Sequence, residues 1–151
     1  MTTAKAQARN TYRSVYVGTA TEDATPHGLV VLLFDGARIA VHDARVQMQL
    51  KQIAAKGEAI GTAVELIDGG LKASLDMERG GEIAGRLSSL YDYMVERLTF
   101  ANLHNDTAAL DEVGRLLGEI EGAWREIGPQ AAAPKPASES KVSVGGSYGR
   151  A

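Results

Sequence analysis

The sequence predicts an all-α fold: an antiparallel four-helix bundle with a flexible N-terminal segment before it and a disordered C-terminal tail after it. Apolar residues recur at helical spacing in four stretches, and no stretch alternates apolar and polar residues for long enough to form a strand. The connections between the stretches are short, which favours antiparallel neighbours. We therefore expect a flexible segment at 1–24, the bundle at 25–128 and a disordered tail at 129–151.

The first predicted helix runs from Thr25, a plausible N-cap before Pro26, to about Gln52. Its apolar residues span an arc of about 240°, whereas a one-sided surface helix needs little more than about 100°. The residues that widen this arc on its two sides include Leu32, Phe34, Ile39 and Val41. This helix is therefore either central in the bundle or carries a docking surface for a partner chain.

The second helix is predicted at about 57–77, and the third from about Gly81 to Asn102, with the turn "MERGG" between them. Two adjacent glycines, Gly69 and Gly70, weaken the second helix by roughly 1 kcal/mol each. Close packing against another element is the only reason for this pair that the sequence suggests.

Two large aromatic residues lie outside the apolar stripe of the third helix. The stripe itself follows helical spacing and contains Leu87, Leu90, Tyr91, Met94, Leu98 and Ala101. Tyr93 and Phe100 instead share a flank with Arg86 and Arg97. Aromatic side chains outside a core stripe are candidates for contact with a partner.

The fourth helix is predicted from the N-cap Asp106 to about Gly128, with its stripe ending at Trp124 and Ile127. Gly114, Gly118 and Gly122 recur every four residues and cost roughly 2–3 kcal/mol of helix propensity relative to alanine. Either another helix or a bound peptide approaches this backbone closely, or the spacing arises by chance in a glycine-rich chain.

Composition excludes several functions. The net charge is -3 and no block of lysine or arginine occurs, so we expect no nucleic-acid partner. Cysteine is absent, and no apolar run or N-terminal pattern resembles a membrane span or a signal peptide. We expect a soluble protein of the cytosol that does not insert into membranes.

No catalytic motif is present, so we predict neither an enzyme nor a metal or other cofactor. The three histidines are far apart, the Glu-x-x-His pattern of di-iron bundles is missing, and "GGEIAG" has the wrong glycine spacing for a dinucleotide loop. One alternative is a histidine phosphotransfer domain, because His42 is flanked by Arg38 and Arg45. Such domains usually have a small residue at the next position, which here is Val46.

Several colinear blocks resemble the flagellar secretion chaperone family FliS. They are "TPHGLVVLLFDGA", "LDMERGGEIAGRLSSLYDYMVERLTFAN" and "NDTAALDEVGRLLGEIEGAW", and the match runs from about Tyr12 to Ile127. The resemblance implies a cytosolic chaperone with an antiparallel helical bundle. It also implies that the protein binds the disordered C-terminal segment of flagellin, prevents premature polymerisation and helps to deliver flagellin to the flagellar type III export gate.

The resemblance further implies that the client wraps around apolar surfaces of the bundle, and that the segment "NTYRSVYVGTA" covers part of them when the client is absent. Phe34 stands where the family usually has Tyr, and Phe100 where a polar residue is common. We expect a monomer whose partners are flagellin and, for the chaperone–client complex, a component of the export gate. An adaptor bundle that forms a homodimer is the competing interpretation. The predicted flagellin-binding residues are Tyr12, Tyr16, Leu32, Phe34, Ile39, Val41, Tyr93, Arg97 and Phe100.

Overall fold

A computed structural model describes residues 25–128, which form four helices and, within that range, no strand. Helix α1 spans Pro26–Gln49, and α2 spans Ile53–Leu66 and continues as a π-helical segment, Ile67–Lys72. Helix α3 spans Met77–His104 and α4 spans Thr107–Ile127. The all-α prediction is confirmed, whereas the predictions for residues 1–24 and 129–151 lie outside the described residues.

Contacts between the helices show that neighbours run antiparallel. The end of α1 meets the start of α4, where Arg45 Nε donates to Asp111 Oδ1 at 2.6 Å. The start of α1 meets the end of α4, where His27 contacts Trp124. Lys56, near the start of α2, donates to the Asn102 carbonyl and to Asn105 Oδ1 at the end of α3. The predicted antiparallel arrangement is therefore confirmed.

The two ends of the bundle are built differently. At one end, residues 50–52 connect α1 to α2, and residues 105–106 connect α3 to α4, with Lys51 (φ 60°) and Asn105 (φ 52°) in the left-handed region. The connection from the π-helical segment to α3, residues 73–76, lies at the other end. The described chain also begins and ends there, at residues 25 and 128. One end of the bundle thus has two short turns, and the other end has the third connection and both ends of the described chain.

Side-chain caps set three helix starts. Thr25 Oγ1 accepts from the Gly28 amide at 2.9 Å, and Asp106 Oδ1 accepts from the Ala108 amide at 2.9 Å, as predicted. Asp76 caps α3 in the same way, accepting from the amides of Glu78 and Arg79. Because of this cap, a helical turn, Met77–Gly80, forms within the predicted turn "MERGG"; α3 is kinked at Gly81 (φ 55°, ψ -130°), and its long part begins there, as predicted.

The core lies between the four predicted stripes. Tyr91, Met94, Leu98 and Ala101 of α3 and Leu110, Val113 and Leu117 of α4 are buried. Gly70 is close-packed: a Cβ at this position would lie 2.9 Å from Leu33 Cδ2. Helix α1 likewise approaches α4, since Cβ atoms at Gly114 and Gly118 would lie 3.8 Å from Val41 and 3.5 Å from the Arg38 guanidinium. At Gly122 a Cβ would meet nothing within 4 Å.

Candidate functional site

An apolar groove of about 560 Å³ opens at the end of the bundle where α1 begins and α4 ends. We call it the end groove. The three helices each contribute large apolar side chains to its wall and floor: Val30 and Phe34 from α1, Leu87 and Tyr91 from α3, and Ile120 and Trp124 from α4. Most of these side chains are only half-buried, because within residues 25–128 no further helix covers them. The groove can therefore accept the apolar side chains of another polypeptide.

One wall of the end groove is held by a contact between His27 and Trp124. The two rings stack with centroids 5.3 Å apart and an interplanar angle of 10°. His27 Nε2 donates to the Trp124 carbonyl at 2.7 Å, and Trp124 Nε1 donates to the His27 carbonyl at 3.2 Å. Ring stacking and two reciprocal hydrogen bonds restrict the indole to one orientation.

The floor of the end groove is uncharged. Burial raises the pKa of Tyr91 to about 12, so its hydroxyl stays neutral at physiological pH. The charged residues that line the groove are the N-cap Asp76 and Arg79 in the first turn of α3, and both are exposed. A neutral floor with charge only at the rim favours apolar ligands over charged ones.

A second exposed apolar surface lies on α3, which we call the aromatic flank: Tyr93, Arg97, Phe100 and His104. Tyr93 Oη donates to Glu112 Oε2 at 2.5 Å, and Arg97 Nε donates to Glu112 Oε1 at 2.9 Å. The Arg97 guanidinium carbon lies 4.9 Å from the Phe100 ring centroid, and the Phe100 and His104 centroids are 4.4 Å apart. Tyr93 and Phe100 each remain 39% exposed.

Glu112 organises this aromatic flank electrostatically. The hydrogen bond from Tyr93, together with the charge and hydrogen bond of Arg97, holds the pKa of Glu112 below its usual range. The same hydrogen bond raises the pKa of Tyr93. Glu112 is therefore ionised at neutral pH and keeps both side chains in place on the surface.

The structure brings together some of the predicted site residues and separates others. Tyr93, Arg97 and Phe100 form one surface, as the helical wheel indicated. Ile39 is 58% exposed and lies apart from them, in a depression between α1 and α4, while Leu32 is half-buried. Tyr12 and Tyr16 lie outside the described residues.

Of the two interpretations of the wide apolar arc of α1, a central position rather than an exposed docking surface applies to Phe34 and Val41. Phe34 is 1% exposed and Val41 is 4% exposed. Helix α1 packs against both α2 and α4, so its two flanks are covered: Val41 lies against Gly114 of α4, and Phe34 forms part of the groove floor. For these two residues the wide apolar arc reflects the central position of α1.

Sequence reasoning missed most of the end groove. Leu87, Ile120 and Trp124 were assigned to core stripes, which is where they lie, but they are only partly covered. Val30 was not singled out. The available signal was the apolar stripe of α3 itself, which continues back from Leu87 to Ile83; Ile83 is 71% exposed, so the stripe extends past the covered part of the bundle.

The phosphotransfer alternative has little support in the geometry. His42 is exposed, as that alternative requires. However, its two basic neighbours are engaged elsewhere: Arg38 Nη1 lies 3.0 Å from Glu121 Oε1, and Arg45 pairs with Asp111. Across residues 25–128, acidic and histidine side chains form no cluster that could hold a metal ion.

The charged contacts between α1 and α4 centre on Glu121, which is buried and accepts hydrogen bonds from Arg38 and Arg125. Burial alone would raise its pKa, but the hydrogen bonds that Arg125 and Arg38 donate, together with the interaction with Asp35, outweigh burial and lower the pKa of Glu121. We interpret this cluster as structural, because each of its acids is matched by an arginine.

None of the helices in the described range is long and apolar enough to cross a membrane.

Comparison with known proteins identifies the family. Residues 8–131 match the family described as "Flagellar protein FliS". The chain is 51% identical to the flagellar secretion chaperone FliS of Salmonella typhimurium over 120 residues, which is 80% of this chain and 89% of that protein. It is 46% identical to the flagellar secretion chaperone FliSB of Pseudomonas aeruginosa over 121 residues, 80% of this chain and 95% of that protein.

A further relative is the flagellar secretion chaperone FliS of Escherichia coli, 39% identical over 121 residues that cover 80% of this chain and 89% of that protein. The match to the family extends beyond the described helices on both sides, and the relatives are covered over most of their length. The chain therefore belongs to the FliS family of flagellar secretion chaperones.

Proposed function

We propose that this protein acts in the cytosol, where it binds the disordered C-terminal segment of flagellin, prevents its premature polymerisation and assists its delivery to the flagellar type III export apparatus. The observation that carries this proposal is the end groove, a partly uncovered apolar site of about 560 Å³ with an uncharged floor, in a member of a secretion chaperone family. Binding through such a site needs no catalytic group.

The physical basis of the proposal is competition for apolar surface. Segments of flagellin that pack against neighbouring subunits in a filament expose apolar side chains when they are free. A chaperone that buries those side chains competes directly with self-assembly. Ordering a disordered client costs about 2–5 kcal/mol of the gross interaction, which allows a large contact surface together with later release.

The positions of the two exposed surfaces favour a client that extends along α3. Ile83 at the end groove and Phe100 on the aromatic flank are separated by 17 residues of helix, or roughly 26 Å at 1.5 Å per residue. A client that contacts both surfaces needs at least about eight extended residues between them. We propose that the flagellin segment binds in the end groove and continues to the aromatic flank.

The described part of the chain begins at the end groove. Pro26 lines the end groove, so the chain that precedes it starts beside the groove. We propose that Tyr12 and Tyr16 contact the client, although the same segment could instead compete with it for the groove. Deleting residues 1–20 separates these roles, because loss of contacts weakens client binding and loss of competition strengthens it.

Titration calorimetry with a peptide comprising the C-terminal segment of the flagellin encoded with this protein tests the proposal. We expect a 1:1 complex, and light scattering during size-exclusion chromatography should show a monomer that shifts in mass on addition of the peptide. A matched control is the same peptide with its apolar residues replaced by serine. A stable homodimer that does not bind flagellin would contradict the proposal and support the adaptor interpretation.

A further inference from the structure

We propose that residues 76–81 form a hinged flap that closes over the client segment in the end groove, and that Met77 on the flap and Ile83, just beyond the hinge, contact the client. This inference rests on the proposed function and concerns how the same site is completed. It is carried by the exposure of the segment, by the backbone at its glycine pair and by its position on the groove rim.

The flap has almost no packing of its own. All eight residues from 76 to 83 are exposed, although most of them are assigned to a helix. The first turn, Met77–Gly80, is held by hydrogen bonds from the Glu78 and Arg79 amides to the Asp76 side chain. A helical turn with local hydrogen bonds and few buried contacts opens at low free energy compared with the core.

The glycine pair supplies the hinge. Gly81 has φ 55° and ψ -130°, a conformation that residues with a side chain avoid, and it breaks α3 into a short turn and a long helix. Gly80 is close-packed at the break, because a Cβ there would lie 2.6 Å from Ala84 Cβ. Glycine at both positions allows the first turn to change direction relative to the rest of α3.

The flap lies where its closure would cover a ligand. Asp76, Arg79, Gly80 and Ile83 line the end groove along its rim. Met77 is 54% exposed and Ile83 is 71% exposed, and both are large aliphatic side chains. Burying them against an apolar segment in the groove is favourable, whereas an empty groove offers them less surface to contact. Occupation of the groove therefore drives closure.

Hydrogen exchange of the full-length protein, with and without the flagellin C-terminal peptide, tests the flap. We expect the amides of residues 77–83 to exchange at least about tenfold more slowly in the complex. The double variant Met77→Ser/Ile83→Ser should weaken peptide binding by about tenfold with an unchanged melting temperature, because both residues are exposed in the free protein.

Two alanine variants test the hinge. Gly81→Ala disfavours the present backbone angles and should weaken peptide binding, because the first turn is then redirected away from the rim. Gly85→Ala is the matched control, since a Cβ there meets nothing within 4 Å, and it should bind as the unaltered protein does. Melting curves of both variants establish that they fold.

The outcomes separate this inference from the function on which it rests. One outcome would overturn the flap alone: the unaltered protein binds the peptide, the groove variant Leu87→Asp does not, and the Met77/Ile83 variant binds with full affinity. Unchanged exchange of residues 77–83 in the complex would do the same. If the unaltered protein binds no flagellin peptide at all, the proposed function fails, and the flap fails with it.

Discussion

His27 and Trp124 hold the first turn of α1 to the last turn of α4 through stacked rings and two reciprocal hydrogen bonds, although they are 97 residues apart in sequence. Neither residue lies in the centre of the core. Trp124 is half-buried and has its remaining surface in the end groove. A single side chain therefore takes part both in closing the bundle and in forming its binding site.

Trp124→Ala should lower both stability and client affinity. We expect a loss of about 2–4 kcal/mol in the free energy of unfolding, somewhat less than for a fully buried tryptophan. Urea unfolding measures this loss, and calorimetry with the flagellin peptide measures affinity. Trp124→Phe is the control that keeps a stacking ring but removes the hydrogen bond to the His27 carbonyl. A Trp124→Ala variant of unchanged stability would show that the contact is not structural.

Replacing Gly122 and replacing Gly70 by alanine should have different effects on the free energy of unfolding. Gly122→Ala should raise the free energy of unfolding by about 0.5–1 kcal/mol, because the helix gains propensity and the new Cβ meets nothing within 4 Å. Gly70→Ala should give no such gain, because its Cβ would press against Leu33 Cδ2 at 2.9 Å. Thermal melts of the two variants test the contrast. Equal stabilisation by both would mean that Leu33 moves aside at no cost.

Ionisation of Tyr91 should lower the free energy of unfolding as the pH rises in the alkaline range. Its pKa is raised by burial from 10.0 to about 12, so the folded state holds the phenolic proton more tightly than the unfolded state does. The resulting stability is fully present below pH 10 and is lost as the pH rises towards 12. The full effect of two pKa units corresponds to about 3 kcal/mol. Chemical denaturation as a function of pH measures the decline.

Tyr91→Phe is the control for this pH dependence, since it removes the ionisable group and keeps the ring. The variant should lose less stability than the unaltered protein between pH 10 and pH 12. Identical pH profiles would assign the alkaline decline to other groups, such as the lysines.

The aromatic flank should contribute to client binding and little to stability. Tyr93→Ala and Phe100→Ala should each weaken binding of the flagellin peptide by about 1–2 kcal/mol, as anchor residues do. Both side chains are 39% exposed, so most of the stability should remain. Calorimetry paired with thermal melts measures the two effects. Thr99→Ala on the same helix is an exposed control that should change neither.

Tyr93→Phe separates the ring from its hydroxyl. It removes the hydrogen bond to Glu112 and leaves the aromatic surface in place. Full affinity in this variant, with reduced affinity in Tyr93→Ala, would assign the contact to the ring. Unchanged affinity in every flank variant would mean that the client does not extend to this surface.

The sequence predicted those parts of the structure that are determined locally. Thr25 and Asp106 were identified as caps because capping depends on a side chain and on amides two or three residues away. The stripes of α3 and α4 follow from helical spacing. The flank position of Tyr93 and Phe100 also follows from that spacing, because both residues lie on the same helix as the stripe.

Positions that depend on which helices are neighbours could not be predicted in this way. A helical wheel shows the direction of Phe34 but not the helix that covers it, so its burial was missed. The end groove was missed because Leu87 and Trp124 belong to apolar stripes, which predict burial. Only the three-dimensional arrangement shows that these stripes extend beyond the part of the bundle where neighbouring helices cover them. The helical turn Met77–Gly80 was not predicted, because it depends on the cap at Asp76, whereas the kink at Gly81 agrees with the predicted start of the third helix.

The difference between the two ends of the bundle has a consequence for the order of folding. The short turns at residues 50–52 and 105–106 make α1–α2 and α3–α4 two hairpins of low contact order, whose contacts can form early. The contact of His27 with Trp124 requires closure of a loop of 97 residues, which is entropically the most expensive step. We therefore expect the end groove to be completed last, so that a nascent chain forms its hairpins before it forms the proposed client site.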